Sequence, residues 1–186
     1  MKTVRGCSPL EYLKGSTLRL SSRKLALATI FGAIISAFEI LLPSPIDKAF
    51  IFIQTLLLSL GHLTLGPPGA TYISLVDGLL TALWRTPLAP FTLAFALLYG
   101  LSIDIISSIA KVKDVDNDVK SKRLITAVTV STVIVGSASY YTSVTFDLLP
   151  RNPLLEMSIF AAGVINGLIG GYLSIVIWKR IFKRPK

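Results

Sequence analysis

Apolar residues fall into six runs, roughly 25–42, 50–65, 70–84, 90–110, 124–146 and 154–178, separated by short polar or proline- and glycine-bearing breaks. A helix rises about 1.5 Å per residue, so a hydrocarbon core about 30 Å thick needs about 20 residues, with about 17 at the low end. The second and third runs are short by that measure. Snorkelling, local thinning or burial within a bundle can make up the difference. The pattern predicts an all-α integral membrane bundle of six transmembrane helices over residues 25–178. A basic cytoplasmic segment at 1–24 precedes it and a basic tail at 179–186 follows.

Composition agrees with lipid as the solvent. Of 186 residues, 52% are hydrophobic and 16% charged, against about 25% charged in an ordinary soluble domain. Mean hydropathy is +0.68. The net charge of +9 does not point to nucleic acid, because sixteen of the nineteen Lys and Arg residues lie in three blocks, 1–24, 111–123 and 179–186. Only Lys48, Arg85 and Arg151 fall in the remaining breaks. Six spans with both termini cytoplasmic put all three blocks inside, as the positive-inside rule requires. Five or seven spans would strand one block outside. The N-terminal block lacks the compact apolar core of a secretory signal. Cys7 and His62, each the only one of its kind, offer neither a disulfide framework nor a metal cluster. Asp114, Asp116 and Asp118 alternate like the start of a calcium loop, but its glycine and closing glutamate are missing.

Several polar residues sit where lipid does not tolerate them. Asp77 lies inside "LGPPGATYISLVDGLLTALWRTPLAP" (65–90), Asp104 in the fourth run and Glu39 near the outer end of the first. An aspartate near a helix centre costs about 2.5–3.5 kcal/mol on insertion scales, so these acids should face protein or a wet cavity. For Asp77 a packing role is expected. For Asp104, capping a broken helix and a direct functional role stand equally open. Glu39, at the wet end, is the best ligand candidate of the three. The outer half also gathers Trp84, Arg85, Tyr99, Tyr140, Tyr141, Arg151, Glu156 and Asn166. Aromatic faces with a few polar groups suit a flat heteroaromatic ligand, whereas Trp84, Tyr140 and Tyr141 also fit an interfacial aromatic belt. Small residues recur at helical spacing. Gly163, Gly167 and Gly171 suit internal packing, while Ala28, Gly32 and Ser36, or Ala33 and Ala37, could let another chain approach the first span.

Enzyme patterns fail. "VDGLLTALWR" superficially resembles the motif of CDP-alcohol phosphotransferases, but there is no aspartate three residues before Asp77 and no downstream pair. His62 has no serine nucleophile motif, and no phosphate-loop or zinc-protease pattern occurs. No catalysis and no metal or cofactor are expected.

Taken together, "RKLALATIFGAIISAFEILLPS", "LGPPGATYISLVDGLLTAL", "TPLAPFTLAFALLYGL" and a glycine-rich last run with a basic tail resemble the S components of energy-coupling factor (ECF) transporters. The likeness covers residues 22–180 and rests on hydropathy, glycine and proline rather than an invariant signature. It implies a multi-pass cell-membrane protein that captures a vitamin, a vitamin precursor or a similar micronutrient from outside. A transmembrane coupling subunit and ATPases would complete the importer and use the ATP. It also implies a pocket among spans four to six and the outer loops. Trp84, Tyr140, Tyr141 and Asn166 would line it, and Glu39 or Arg85 would set its charge preference. The coupling subunit would dock on Ala33 and Ala37, or on Ala28 and Gly32. Two or three buried carboxylates lean toward a cationic or amine-bearing ligand, although Asp77 and Asp104 lie too far toward the cytoplasmic side to touch it. The alternative is a small structural or assembly membrane protein with no ligand.

Overall fold

Proline, glycine and charge end the helices close to where hydropathy places the breaks. The computed structural model describes residues 22–41, 51–84, 89–113, 119–147 and 150–182. The helices are α1 (Ser22–Leu41), α2 (Ile51–Leu65), α3 (Gly69–Trp84), α4 (Ala89–Ile109), α5 (Ser121–Thr145) and α6 (Pro153–Ile177), the last running into a π-helical turn, Trp178–Phe182. Four of them, α1, α4, α5 and α6, are long and apolar enough to cross a membrane. α2 and α3 have 15 and 16 residues. Outside the described residues lie Cys7 and most of the basic N-terminal segment, Lys48, Arg85, Asp114, Asp116, Asp118 and residues 183–186.

The distribution of polarity is the reverse of a soluble domain's. Thr55, Ser59, His62, Ser74, Asp77, Thr81, Asp104, Ser131, Thr132, Asn166 and Ser174 are buried, while Ile30, Phe38, Leu101, Ile105, Ile134, Phe160, Ile165 and Leu168 are exposed. An apolar exterior this extensive is matched to hydrocarbon, not water.

α2 runs through the middle and packs most extensively on α6 and α3. The other five follow one another around it in the order α1, α3, α4, α5, α6. In lipid, burying apolar surface contributes little to helix association, so close packing at small residues takes over. At Gly100 of α4 an added Cβ would fall 2.7 Å from the Ala70 carbonyl oxygen of α3. At Gly167 of α6 it would fall 2.6 Å from Thr129 Cα of α5. Both positions demand glycine.

One end of the bundle is basic. Lys113 Nζ reaches the Leu63 carbonyl at the end of α2 (3.5 Å) and stands 5.8 Å over the Trp178 ring. Arg123 Nη1 donates to the Ala110 carbonyl beyond α4 at 3.2 Å. Both place cations at helix C-termini, where the helix dipole favours them. The α2–α3 turn lies at the same end. Gly66 takes φ 77°, a left-handed conformation natural to glycine, ahead of a cis Pro67–Pro68 bond. Its N–H donates to the His62 carbonyl at 3.0 Å. At the far end Asn152 caps α6, its side chain accepting from Leu154 N at 3.0 Å, with Pro153 in the first turn.

Candidate functional site

Near the basic end, Asp104 settles one of the open readings. Its Oδ1 accepts from His62 Nδ1 at 2.6 Å and from Ala70 N at 3.3 Å. Its Oδ2 accepts from Thr71 N at 2.8 Å and from Thr71 Oγ1 at 2.7 Å. A carboxylate on α4 thus caps the first turn of α3 and ties it to the last turn of α2. Every lone pair aimed into the protein is used. Asp104 holds three helices together, and a ligand has nothing to displace there.

Asp77 is buried more loosely. Gln54 Nε2 donates to one oxygen at 3.2 Å and Thr81 Oγ1 approaches the other at 3.5 Å. Glu39 of α1 is its charged neighbour. Glu39 is half-buried. These acids belong to the α1–α2–α3 side of the bundle.

A different layer crosses α2, α4 and α5. The buried Tyr99 hydroxyl lies 2.5 Å from Thr55 Oγ1 and 2.9 Å from Thr132 Oγ1. Thr55 and Thr132 each also lie 2.9 Å from the carbonyl one turn back, those of Ile51 and Val128. Three hydroxyl protons therefore serve four close contacts. If both threonines donate to those carbonyls, the tyrosine can satisfy only one of them.

Asn166 of α6 belongs to the same layer. Along the α5–α6 seam Gly163 faces Val133, Gly167 faces Thr129 and Gly171 faces Ile125, while Gly170 faces Thr55 and the Phe52 carbonyl of α2. Gly163 and Gly170, three residues before and four after, share a helix face with Asn166. That face lies toward the wedge where α6 meets both α5 and α2. Asn166 is 8% exposed, and its carboxamide makes no hydrogen bond among the described residues. Thr129 Oγ1, against Gly167, is buried without a partner as well. Buried polar groups are normally paired. Among the described residues the fully buried side-chain atoms without a partner are Thr129 Oγ1 in this layer and Ser107 Oγ on α4. Asn166, 8% exposed, adds an unbonded carboxamide beside Thr129.

The tyrosine pair lies elsewhere. Tyr141 donates to Glu156, and the Tyr140 hydroxyl meets the Asn152 carbonyl at 3.4 Å and its N–H at 3.3 Å. From Glu156 to Asn166 is ten residues of α6, about 15 Å along the axis. Tyr140 and Tyr141 close the α5–α6 corner, helped across α4 and α5 by Phe91 and Phe146, whose ring centroids are 5.0 Å apart. One small ligand does not span both layers. Trp84, 70% exposed at the end of α3, points away from the interior as a belt residue does. Arg85 lies outside the described residues. Of the expected lining residues, Tyr99 contacts Thr55 and Thr132, the same threonines that border Gly170 and Gly163 on either side of Asn166. Tyr140 and Tyr141 lie at the α5–α6 corner, and Trp84 is exposed.

Sequence reasoning passed over Thr55, Thr129 and Thr132, which share the Asn166 layer. The signal available was the density of threonine in "TAVTVST", with hydroxyls at 129 and 132 on adjoining turns of α5. The two docking registers on α1 also separate. Ala28 and Gly32 are buried, Gly32 against Ile73 and Val76 of α3, while Ala33 is half-buried and Ala37 exposed. The first register is internal packing, so only the second reaches the surface. Among the described residues no three metal-binding side chains gather. No family model, curated protein or solved structure matches the chain.

Proposed function

We propose that the chain crosses the membrane six times with both ends in the cytoplasm and is the substrate-capturing subunit of an ECF-type importer. It takes up a vitamin, vitamin precursor or similar micronutrient from outside. A coupling subunit seated at Ala33 and Ala37 and partner ATPases supply the movement and the ATP. The observation that carries the reading is Asn166, a carboxamide held in mid-helix, 8% exposed and without a hydrogen bond among the described residues. A bundle that serves only as scaffold has no use for such a group, because an apolar residue there would pack as well. The basic blocks at 111–123 and 179–186 support the orientation.

Co-expression of the chain with the coupling subunit and both ATPases of an ECF importer, followed by purification on a tag carried by the chain, tests the assignment. All three partners are expected to co-purify, and Ala37→Trp should release them. Recovery of the chain alone would favour the structural or assembly reading. A reporter fused at residue 117 is expected on the cytoplasmic face, and an extracytoplasmic signal would overturn the topology.

A further inference from the structure

The middle layer has a chemistry that the buried aspartates of the bundle do not lead one to expect. Its described side chains are Thr55, Tyr99, Thr129, Thr132 and Asn166, all uncharged at neutral pH. The two buried aspartates are committed elsewhere, Asp104 to four donors at the basic end and Asp77 to Gln54 and Thr81 on the α1–α3 side. A charged solute entering the wedge between α2, α5 and α6 would lose its water and meet no described counter-charge, which is the most costly form of burial. An uncharged solute loses far less, and two groups wait for it. Asn166 offers one acceptor and two donors, and Thr129 Oγ1 offers one donor and spare lone pairs. Tyr99, with fewer protons than contacts in its network, can turn its own proton toward whichever acceptor is present.

We propose that this layer binds an uncharged solute carrying an adjacent donor and acceptor, an amide- or lactam-like edge, read by the Asn166 carboxamide. The proposal rests on the capture function given above and narrows its substrate class. It departs from the lean toward a cationic or amine-bearing ligand that the buried carboxylates give in the sequence. A carboxamide side chain recognises such an edge by pairing oxygen to N–H and N–H to oxygen at once. The same side chain meets a carboxylate with only its donors and an amidinium with only its oxygen. Pairing of this kind therefore separates neutral solutes from both charge types.

The purified full-length chain in lipid nanodiscs is incubated with an equimolar mixture of matched probes. These are benzamide, benzoate and benzamidine; nicotinamide, nicotinate and 1-methylnicotinamide; and uracil and orotate. After rapid separation the retained solutes are extracted and quantified by mass spectrometry. The neutral member of at least one set is expected at about tenfold or more over its charged partners, and Asn166→Ala should lower its retention about tenfold, the worth of one net hydrogen bond. Asn166→Asp keeps the shape but exchanges the two N–H donors for a charge, and should move preference from benzamide to benzamidine. The thermal transition of each variant separates loss of a contact from loss of the fold. Retention of charged probes by the unaltered chain at or above the neutral ones overturns the substrate class and leaves capture standing. Equal retention by the unaltered chain and Asn166→Ala, including none by either, overturns the site itself. Neither result bears on co-purification with the coupling subunit and ATPases, so failure here and failure of the importer assignment are told apart.

Discussion

Asp104 and Asn166 are both buried polar side chains inside apolar helices, and they are bonded in opposite ways. Asp104 receives four donors from two neighbouring helices. Asn166 receives none among the described residues. Polarity in a membrane helix is commonly read as function, and the pair shows why it is a poor guide alone. A polar group whose bonds are complete inside the chain holds the chain together. One whose bonds are missing is waiting for something, or is a defect that an apolar residue could repair. The contrast extends to Asp77, whose two contacts at 3.2 and 3.5 Å place it between the extremes.

The largest expected effect lies on the saturated side. Asp104→Ala leaves His62, Ala70 N, Thr71 N and the Thr71 hydroxyl facing one another with no acceptor. Loss of a buried, fully bonded carboxylate should destabilise the fold by about 3–5 kcal/mol, read as a lower thermal transition of the purified chain in detergent. Asp104→Asn sharpens the point. Both carboxylate oxygens accept, so whichever way the amide is turned, its NH2 meets donors. Asparagine should therefore rescue little. Near-native stability for the asparagine variant would mean that the cap is not what joins α2, α3 and α4.

How much of this was legible in the sequence depends on distance along the chain. The six helices could be read almost to their ends because the signals that stop them are local. "GPPG" closes α2 and opens α3, and "RNP" opens α6. The burial of Asp77 and Asp104 was also legible, since lipid leaves acids nowhere else to go. The partners of Asp104 were not. His62 is 42 positions away and Thr71 is 33, and no periodicity joins them. The aromatic residues misled for a related reason. Trp84, Tyr99, Tyr140 and Tyr141 share an apolar half of the bundle on paper, but helix phase sends Trp84 outward and Tyr99 to the core. Asn166 stands out in the sequence because it is far from any helix end, and its burial was legible for that reason.

A smaller effect tests the seam that positions the unpaired group. Gly167→Ala drives a Cβ to within 2.6 Å of Thr129 Cα, backbone against side chain, so α5 and α6 must part. Overpacking of this kind costs about 1–3 kcal/mol. Gly136→Ala on α5 is the matched control, since its Cβ would have no neighbour closer than 3.9 Å. The first should lower the thermal transition and the second leave it in place. Equal behaviour would mean that the α5–α6 approach is looser than the glycine contacts require.

The smallest effect on stability is the most telling for the comparison. Asn166→Leu removes a carboxamide that makes no internal bond and replaces it with an apolar side chain of similar size. Losing one buried polar group normally strands its partner, and that stranded partner accounts for most of the cost. Here there is no partner to strand. The thermal transition should therefore change by the equivalent of less than about 1 kcal/mol, in either direction, because an apolar substitute of like volume is often neutral or stabilising. The same substitution at a bonded position such as Thr132, whose hydroxyl touches both Tyr99 and the Val128 carbonyl, should destabilise clearly. Were Asn166→Leu as damaging as Asp104→Ala, the carboxamide would have to be holding helices together through bonds of its own. The distinction between a group that builds the bundle and one that serves a visitor would then disappear.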